Sequence, residues 1–133
     1  MDLTLSDEQR LLRESADRFV GETCTAEHRR KTAAEPNGFS AAIWKQFAEL
    51  GWLALPIAEE HGGLGGGAVE VGILMEAFGR GLVSEPYLST VVIGAGLIGT
   101  CGSDAQKQAL LPKVADGSLH LAFAHAERAA RFD

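Results

Sequence analysis

Few residues in this chain have the type and spacing for chemistry, and each admits a structural use. Glu59, Glu60 and His61 offer two carboxylates and an imidazole, but consecutive side chains rarely converge on one ion, which favours a solvated loop over a metal site. His120 and His125 are five residues apart on a stretch that reads as a strand, so they point to opposite faces. His125 and Glu127 share a face, as a proton relay or a surface pair would. Cys24 and Cys101 lack Cys or His partners at ligand spacing and are expected as two buried free thiols. No serine or cysteine has a recognisable nucleophile context, so no catalytic or metal-ligating residue is assigned.

One glycine pattern suggests a cofactor. Val91-Val92-Ile93-Gly94-Ala95-Gly96-Leu97-Ile98-Gly99 reads as a strand entering G-x-G-x-x-G, whose glycines bring a backbone turn close to a pyrophosphate. That reading also needs an acidic residue ~20 positions on. The window near Ser118 and Leu119 is not acidic, Asp116 sits in a turn signal and Glu127 comes late. Gly102 and Pro112 interrupt the helix that should follow. A packed helix explains the same residues, because glycine and alanine let a neighbour or ligand come close. A Rossmann-type dinucleotide-binding protein therefore stands as the remote alternative.

The elements that would position these groups are helical. With 133 residues, 46% hydrophobic and 23% charged, the chain is long enough for one domain with a real core. Its net charge of −6 gives no electrostatic case for nucleic acid or an anionic membrane surface, and His28-Arg29-Arg30-Lys31 is a short basic cluster at a solvated helix end or loop. The longest apolar run, around Val91 to Ile98, is too short to span a bilayer. The first residues form neither a signal nor a transit peptide, so a soluble cytoplasmic protein is expected.

Ser6 with Gln9 is a capping box, and Leu12, Ala16, Phe19, Val20 and Thr23 then share a helical face. Ser40 caps a second helix with Ile43, Trp44, Phe47, Ala48 and Leu50 as its apolar face and Gly51 as its stop. A third runs from Ala68 to Phe78, with Val69, Ile73 and Ala77 in register, and stops at Gly79. Ser84 and Pro86 start a fourth that reaches Thr100. Ser103 with Gln106 opens a fifth, Asp116-Gly117 turns the chain, and Leu119 to Ala126 alternates as a first strand would.

Three segments carry a family resemblance, in order. Glu49-Leu50-Gly51-Trp52-Leu53-Ala54-Leu55-Pro56-Ile57-Ala58-Glu59-Glu60-His61-Gly62-Gly63-Leu64-Gly65 resembles the G-W-L-x-L-P-x-x-E-E-x-G-G-L-G segment of flavin-dependent acyl-CoA dehydrogenases. The run Glu76 to Leu88, with Gly79-Arg80-Gly81-Leu82-Val83-Ser84-Glu85-Pro86-Tyr87, agrees with it. So does Gly102-Ser103-Asp104-Ala105-Gln106-Lys107 through Leu110-Leu111-Pro112. The resemblance implies an all-α fold, an orthogonal domain of about five helices over residues 1–117, followed in 118–133 by the first strand of a flavin-binding middle β domain.

It also implies a function. Acyl-CoA dehydrogenases remove hydrogens from Cα and Cβ of an acyl-CoA thioester, a carboxylate taking the α proton and FAD the β hydride. That base belongs to a C-terminal domain, so this chain alone is expected to be inactive. The N-terminal domain supplies one wall of the acyl channel. Carried over by position, the candidates are Tyr87, Leu88, Thr90, Val91, Gly94, Ala95 and Ile98. The plain alternative for each is core packing.

The cofactor segment departs from the family. Where relatives carry A-x-T-E-P-x-x-G-S-D, this chain has Ala124-His125-Ala126-Glu127-Arg128-Ala129-Ala130-Arg131-Phe132-Asp133. The FAD-binding candidates are Phe123, His125, Ala126 and Phe132, yet Ala126 replaces the threonine, Arg131 the glycine and Phe132 the serine near the pyrophosphate. The pattern is similar to small subunits of two-subunit acyl-CoA dehydrogenases such as pimeloyl-CoA dehydrogenase. It implies an oligomer, homomeric or with another such subunit, and weak FAD binding by the homomer. The alternative is a helical partner or assembly module without chemistry of its own.

Overall fold

In a computed structural model, residues 4–125 are described. Among them are six α-helices, a short 3-10 turn and a π-helix, and no strand. In chain order they are α1 (Asp7–Thr23), α2 (Ala26–Thr32), α3 (Ala41–Glu49), a 3-10 turn (Glu59–His61), α4 (Ala68–Gly81), the π-helix (Leu88–Ala95), α5 (Gly96–Cys101) and α6 (Asp104–Ala115). The expected all-α fold is what forms, with one more helix than the sequence suggested.

Local chemistry sets most boundaries. Ser6 Oγ accepts the Gln9 N–H at 3.2 Å while Gln9 Oε1 accepts the Ser6 N–H at 3.0 Å, a reciprocal cap on α1. Ser103 and Gln106 repeat it on α6 at 3.3 and 2.9 Å. Ser40 caps α3 through the Ile43 N–H, and Gly51 leaves the helix at φ +74°, where glycine has no Cβ penalty. The additional helix is α2. Thr25 caps it through the His28 N–H, and the basic cluster it carries is structural in part, since Arg29 Nη1 donates to Gly81 C=O at 3.0 Å. A cation at the last carbonyls of α4 meets the negative end of that helix.

One expectation at a helix end is corrected. Helix α4 passes through Gly79 and stops after Gly81, and the left-handed residue beyond is Leu82, at φ +50° and exposed. Gly81 is needed for approach: a Cβ there would lie 2.1 Å from Val20 Cγ1 of α1, which packs along α4. Pro112 sits inside α6. The stretch 119–125 pairs with no strand among the described residues. Its Leu121 instead exchanges two 3.2 Å hydrogen bonds with Thr90 Oγ1, which donates to the carbonyl and accepts from the amide. A buried hydroxyl thus takes the role that a neighbouring strand would fill.

The core is aromatic at one end. Phe47 stacks on Phe78 at 4.9 Å, Trp52 approaches Phe47 at 5.2 Å, and Phe19 closes on Trp52 at 5.3 Å. Tyr87 meets the edge of Phe78 at 5.2 Å and donates its hydroxyl to Trp52 C=O at 3.1 Å. On α4 the buried stripe is Ile73, Leu74, Ala77 and Phe78, whereas Val69 and, at the C-cap of α3, Leu50 are exposed. Trp44 donates to Gly117 C=O at 2.9 Å and stacks on His120 at 4.8 Å, so that histidine is a packing group.

Between Trp52 and Gly67 the chain has no long element yet is tightly tied. Leu64 N–H donates to Ala54 C=O, Gly65 N–H to Ile57 C=O and Gly66 N–H to Leu55 C=O, all within 3.0 Å. The loop folds back on itself and delivers the chain to the start of α4.

Candidate functional site

The glycine-rich loop, the first turns of α4, the π-helix, α5 and α6 surround a cavity of about 760 Å³. This is within the usual range for small-molecule sites, roughly 300–1,000 Å³. Pro56, Ile57 and His61 line it from the loop, Val71 and Gly72 from α4, and Val91, Val92 and Ala95 from the π-helix. Gly96, Gly99 and Thr100 come from α5, Lys107 and Leu111 from α6. The lining is mainly small and apolar. A Cβ added at Gly72, Gly96 or Gly99 would meet nothing within 4 Å, so glycine at these positions leaves space rather than relieving a clash.

The π-helix has a local cause and a consequence. Leu88-Ser89-Thr90-Val91-Val92-Ile93-Gly94-Ala95 has a β-branched centre, which crowds an α-helix, and the Pro86 carbonyl accepts the Thr90 N–H at its start. Ser84 does not cap it with its side chain. The wider turn redistributes the side chains, so Val91 and Val92 both reach the cavity.

Of the seven wall candidates, Val91 and Ala95 line this cavity and are buried. Tyr87 and Thr90 lie in the core, engaged with Trp52 and Leu121. Gly94 faces Leu121, whose Cβ would be 2.6 Å from an added Cβ. Ile98 packs half-buried on the core, and Leu88 is half exposed. Val92, Gly96, Gly99, Lys107 and His61 belong to the cavity and were not anticipated. The i, i+4 series Val91-Ala95-Gly99 was a usable signal; Lys107, from another helix, had none.

Polar groups at the cavity are few. His61 has a side chain only 10% exposed, and its Nδ1 is buried without a hydrogen-bond partner among the described residues. Its Nε2 lies 3.5 Å from the exposed Glu60 carboxylate. Gly67, the N-cap of α4, offers no side-chain cap, and the Glu70 carboxylate reaches back to its N–H at 2.8 Å. Glu70 also accepts from Gln9 Nε2 at 2.6 Å, and that bond leads the causes that hold its pKa below the usual value. Lys107 is in no ion pair among the described residues.

Elsewhere, burial pushes the Cys24 thiol up to about 11, with Glu85 adding to the rise and Arg29 opposing it, which leaves an inert packed thiol. Burial also raises the Tyr87 phenol, consistent with a structural hydroxyl. Cys101 corrects the sequence expectation: it is exposed. Among the described residues no three His, Cys, Asp or Glu side chains are grouped to hold a metal, and no helix is long and apolar enough to cross a membrane.

Of the flavin candidates, Phe123 and His125 are exposed, their rings 6.1 Å apart on the extended segment, while Ala126 and Phe132 lie outside the described residues. The described part of that segment supplies two exposed rings, one of them the imidazole of His125.

Residues 6–118 match the family model described as acyl-CoA dehydrogenase, N-terminal domain. The chain belongs to that family. It is 32% identical to acyl-CoA dehydrogenase FadE27 of Mycobacterium tuberculosis over 81% of this chain and 29% of the relative. It is likewise 32% identical to acyl-CoA dehydrogenase IpdE2 of the same organism, over 87% of this chain and 36% of that one. Among solved structures, a chain of the Mycobacterium tuberculosis ChsE4-ChsE5 complex superposes with a TM-score of 0.84 at 30% identity, over 92% of this chain and 34% of that one. An acyl-CoA dehydrogenase from Bacillus anthracis, complexed with FAD, gives 0.83 at 26% identity over 96% and 22%. The chain thus spans about a third of the length of the relatives it matches. The helical architecture of this family's N-terminal domain, and with it the helical state of residues 91–100, replaces the dinucleotide-fingerprint reading.

Proposed function

We propose that this chain is the N-terminal part of a flavin-dependent acyl-CoA dehydrogenase and forms a wall of its acyl channel. The observation that carries the reading is the cavity. Val91 and Ala95, two of the wall candidates carried over by position, open on it beside three glycines that leave room for a chain. An apolar void favours an acyl chain because burying methylenes is worth about 0.8 kcal/mol each. These residues orient and dehydrate the acyl group, and hydride transfer is the chemistry that FAD supplies when bound.

A second reading has one observation in its favour. The similarity to a chain of the ChsE4-ChsE5 complex fits a subunit that works only beside a different one. Dye reduction with a panel of acyl-CoAs tests both readings. The 133-residue chain alone is expected to give no turnover. In the acyl-CoA dehydrogenase assembly that contains it, Gly99→Leu should raise KM for long acyl chains and leave short ones unchanged. Turnover by the chain alone, or a Gly99→Leu assembly indifferent to chain length, would overturn the wall assignment.

A further inference from the structure

Threonine combines two properties that suit it to hold a passing backbone. Its β-branch leaves few rotamers, and its hydroxyl carries one proton and two lone pairs. It can therefore serve both backbone polar groups of one facing residue. Thr90 does so: fully buried, it donates to Leu121 C=O and accepts from Leu121 N–H, both at 3.2 Å. Four residues on, Gly94 gives the segment room to approach. A Cβ at Gly94 would lie 2.6 Å from Leu121 Cβ and 2.9 Å from its Cδ1.

The π-helix thus carries two i, i+4 pairs with different duties. Thr90 and Gly94 meet Leu121, while Val91 and Ala95 line the cavity. The chain is well anchored on its way to Leu121. Leu119 N–H donates to Lys113 C=O at 2.9 Å, Trp44 Nε1 donates to Gly117 C=O, and His120 stacks on Trp44. Past Leu121 the attachment ends. Ala122, Phe123, Ala124 and His125 are exposed and make no hydrogen bond among the described residues. Thr90 is the last hydrogen-bonded anchor before them.

We propose that Thr90 is a positioning residue: its hydroxyl, seated by Gly94, fixes the course of segment 119–125 and couples it to the cavity wall made by Val91 and Ala95. Two bonds to one residue give a clasp with two states, made and broken. A ligand that steadies the π-helix from the cavity side favours the made state, and by reciprocity a broken clasp weakens that ligand. The clasp stands without the acyl-wall reading; its coupling to the cavity rests on that reading.

Amide relaxation and chemical shifts of the 133-residue chain test both parts. Wild-type Leu121 is expected to have the order parameter of rigid backbone, about 0.85. Thr90→Val keeps the shape and removes the hydroxyl, and should lower it below about 0.6 with the Phe47 and Leu74 amides unchanged. Thr90→Ser, which restores the hydroxyl, should restore the wild-type value. Gly94→Ala keeps the hydroxyl but blocks the approach, and should act as Thr90→Val does. Octanoyl-CoA should shift Leu121 together with Val91 and Ala95 in wild type, and bind at least about fivefold more weakly to Thr90→Val. If a folded Thr90→Val or Gly94→Ala chain keeps the wild-type order parameter, or Thr90→Ser does not restore it, the positioning role is overturned. If octanoyl-CoA shifts Val91 and Ala95 but not Leu121, the coupling is overturned and the acyl-wall reading stands. If it shifts none of them, the acyl-wall reading fails and the coupling with it, while the order parameters decide the clasp.

Discussion

Phe19, Phe47, Trp52, Phe78 and Tyr87 meet ring against ring at centroid distances between 4.9 and 5.8 Å, whereas Val91, Ala95, Gly96 and Gly99 border a void of about 760 Å³. Two regions of one small domain thus treat space in opposite ways. The first uses large side chains with few rotamers, which bury much apolar surface and lock the crossing of α3, α4 and the Trp52 loop. The second uses residues with little or no side chain, held apart by a loop whose backbone bonds close on themselves. Gly72, Gly96 and Gly99 are exposed, so this space opens to solvent, whereas the aromatic cluster is closed.

The comparison breaks if truncation on the filled side is cheap. Phe47 is fully buried, so Phe47→Ala should cost about 3–5 kcal/mol in urea unfolding, the range for a buried aromatic. A loss below about 1 kcal/mol would mean that the aromatic cluster is not what holds the fold. Next in size is Gly81→Ala. Its Cβ would meet the stiff Val20 side chain at 2.1 Å, and separating α1 from α4 should cost about 1–3 kcal/mol by the same assay.

The sign should reverse on the open side and at the strained turn. Leu82→Gly relieves a left-handed backbone at an exposed site and should stabilise by about 1 kcal/mol. Gly99→Ala, with open space at its Cβ, should gain roughly 0.5–1 kcal/mol from helix propensity. A destabilised Gly99→Ala protein would show that the glycine is there for packing and not for room. The smallest effect is on acid stability. Glu70 and Asp116 have lowered pKa values, the first held by Gln9 and the second by Ser118. Lowered carboxyl pKa values stabilise the fold above the unfolded value, near ~4, and that contribution is lost as pH falls through the folded ones. Asp116 is exposed and Glu70 only partly buried, so solvent screens both and the loss should be slight. Gln9→Ala should remove the Glu70 part of it, read as melting temperature between neutral and acid pH.

Legibility followed the same division. The caps at Ser6, Ser40 and Ser103 act over three residues, and the sequence shows them directly. The ends it misplaced depend on distant partners. Helix α4 continues past Gly79 because Gly81 lets α1 approach and Arg29 reaches its last carbonyls, neither of which spacing reveals. The alternation in Leu119 to Ala126 suggested a strand, but a strand exists only with a neighbour, and Thr90 supplies the bonds here. Likewise Val91 and Ala95 were legible as candidates, whereas Lys107 and His61 join them only through the fold.

The proposed acyl site is the glycine-lined cavity and not the exposed side chains of Leu88 or Phe123. Amide chemical shifts of the 133-residue chain, followed during titration with octanoyl-CoA, test it most directly. The expected result is saturable change at Gly72, Val91, Ala95, Gly96 and Gly99, with the Phe47 and Trp52 amides unmoved. Saturable change confined to Leu88 and Phe123, or no saturable change anywhere, would contradict it.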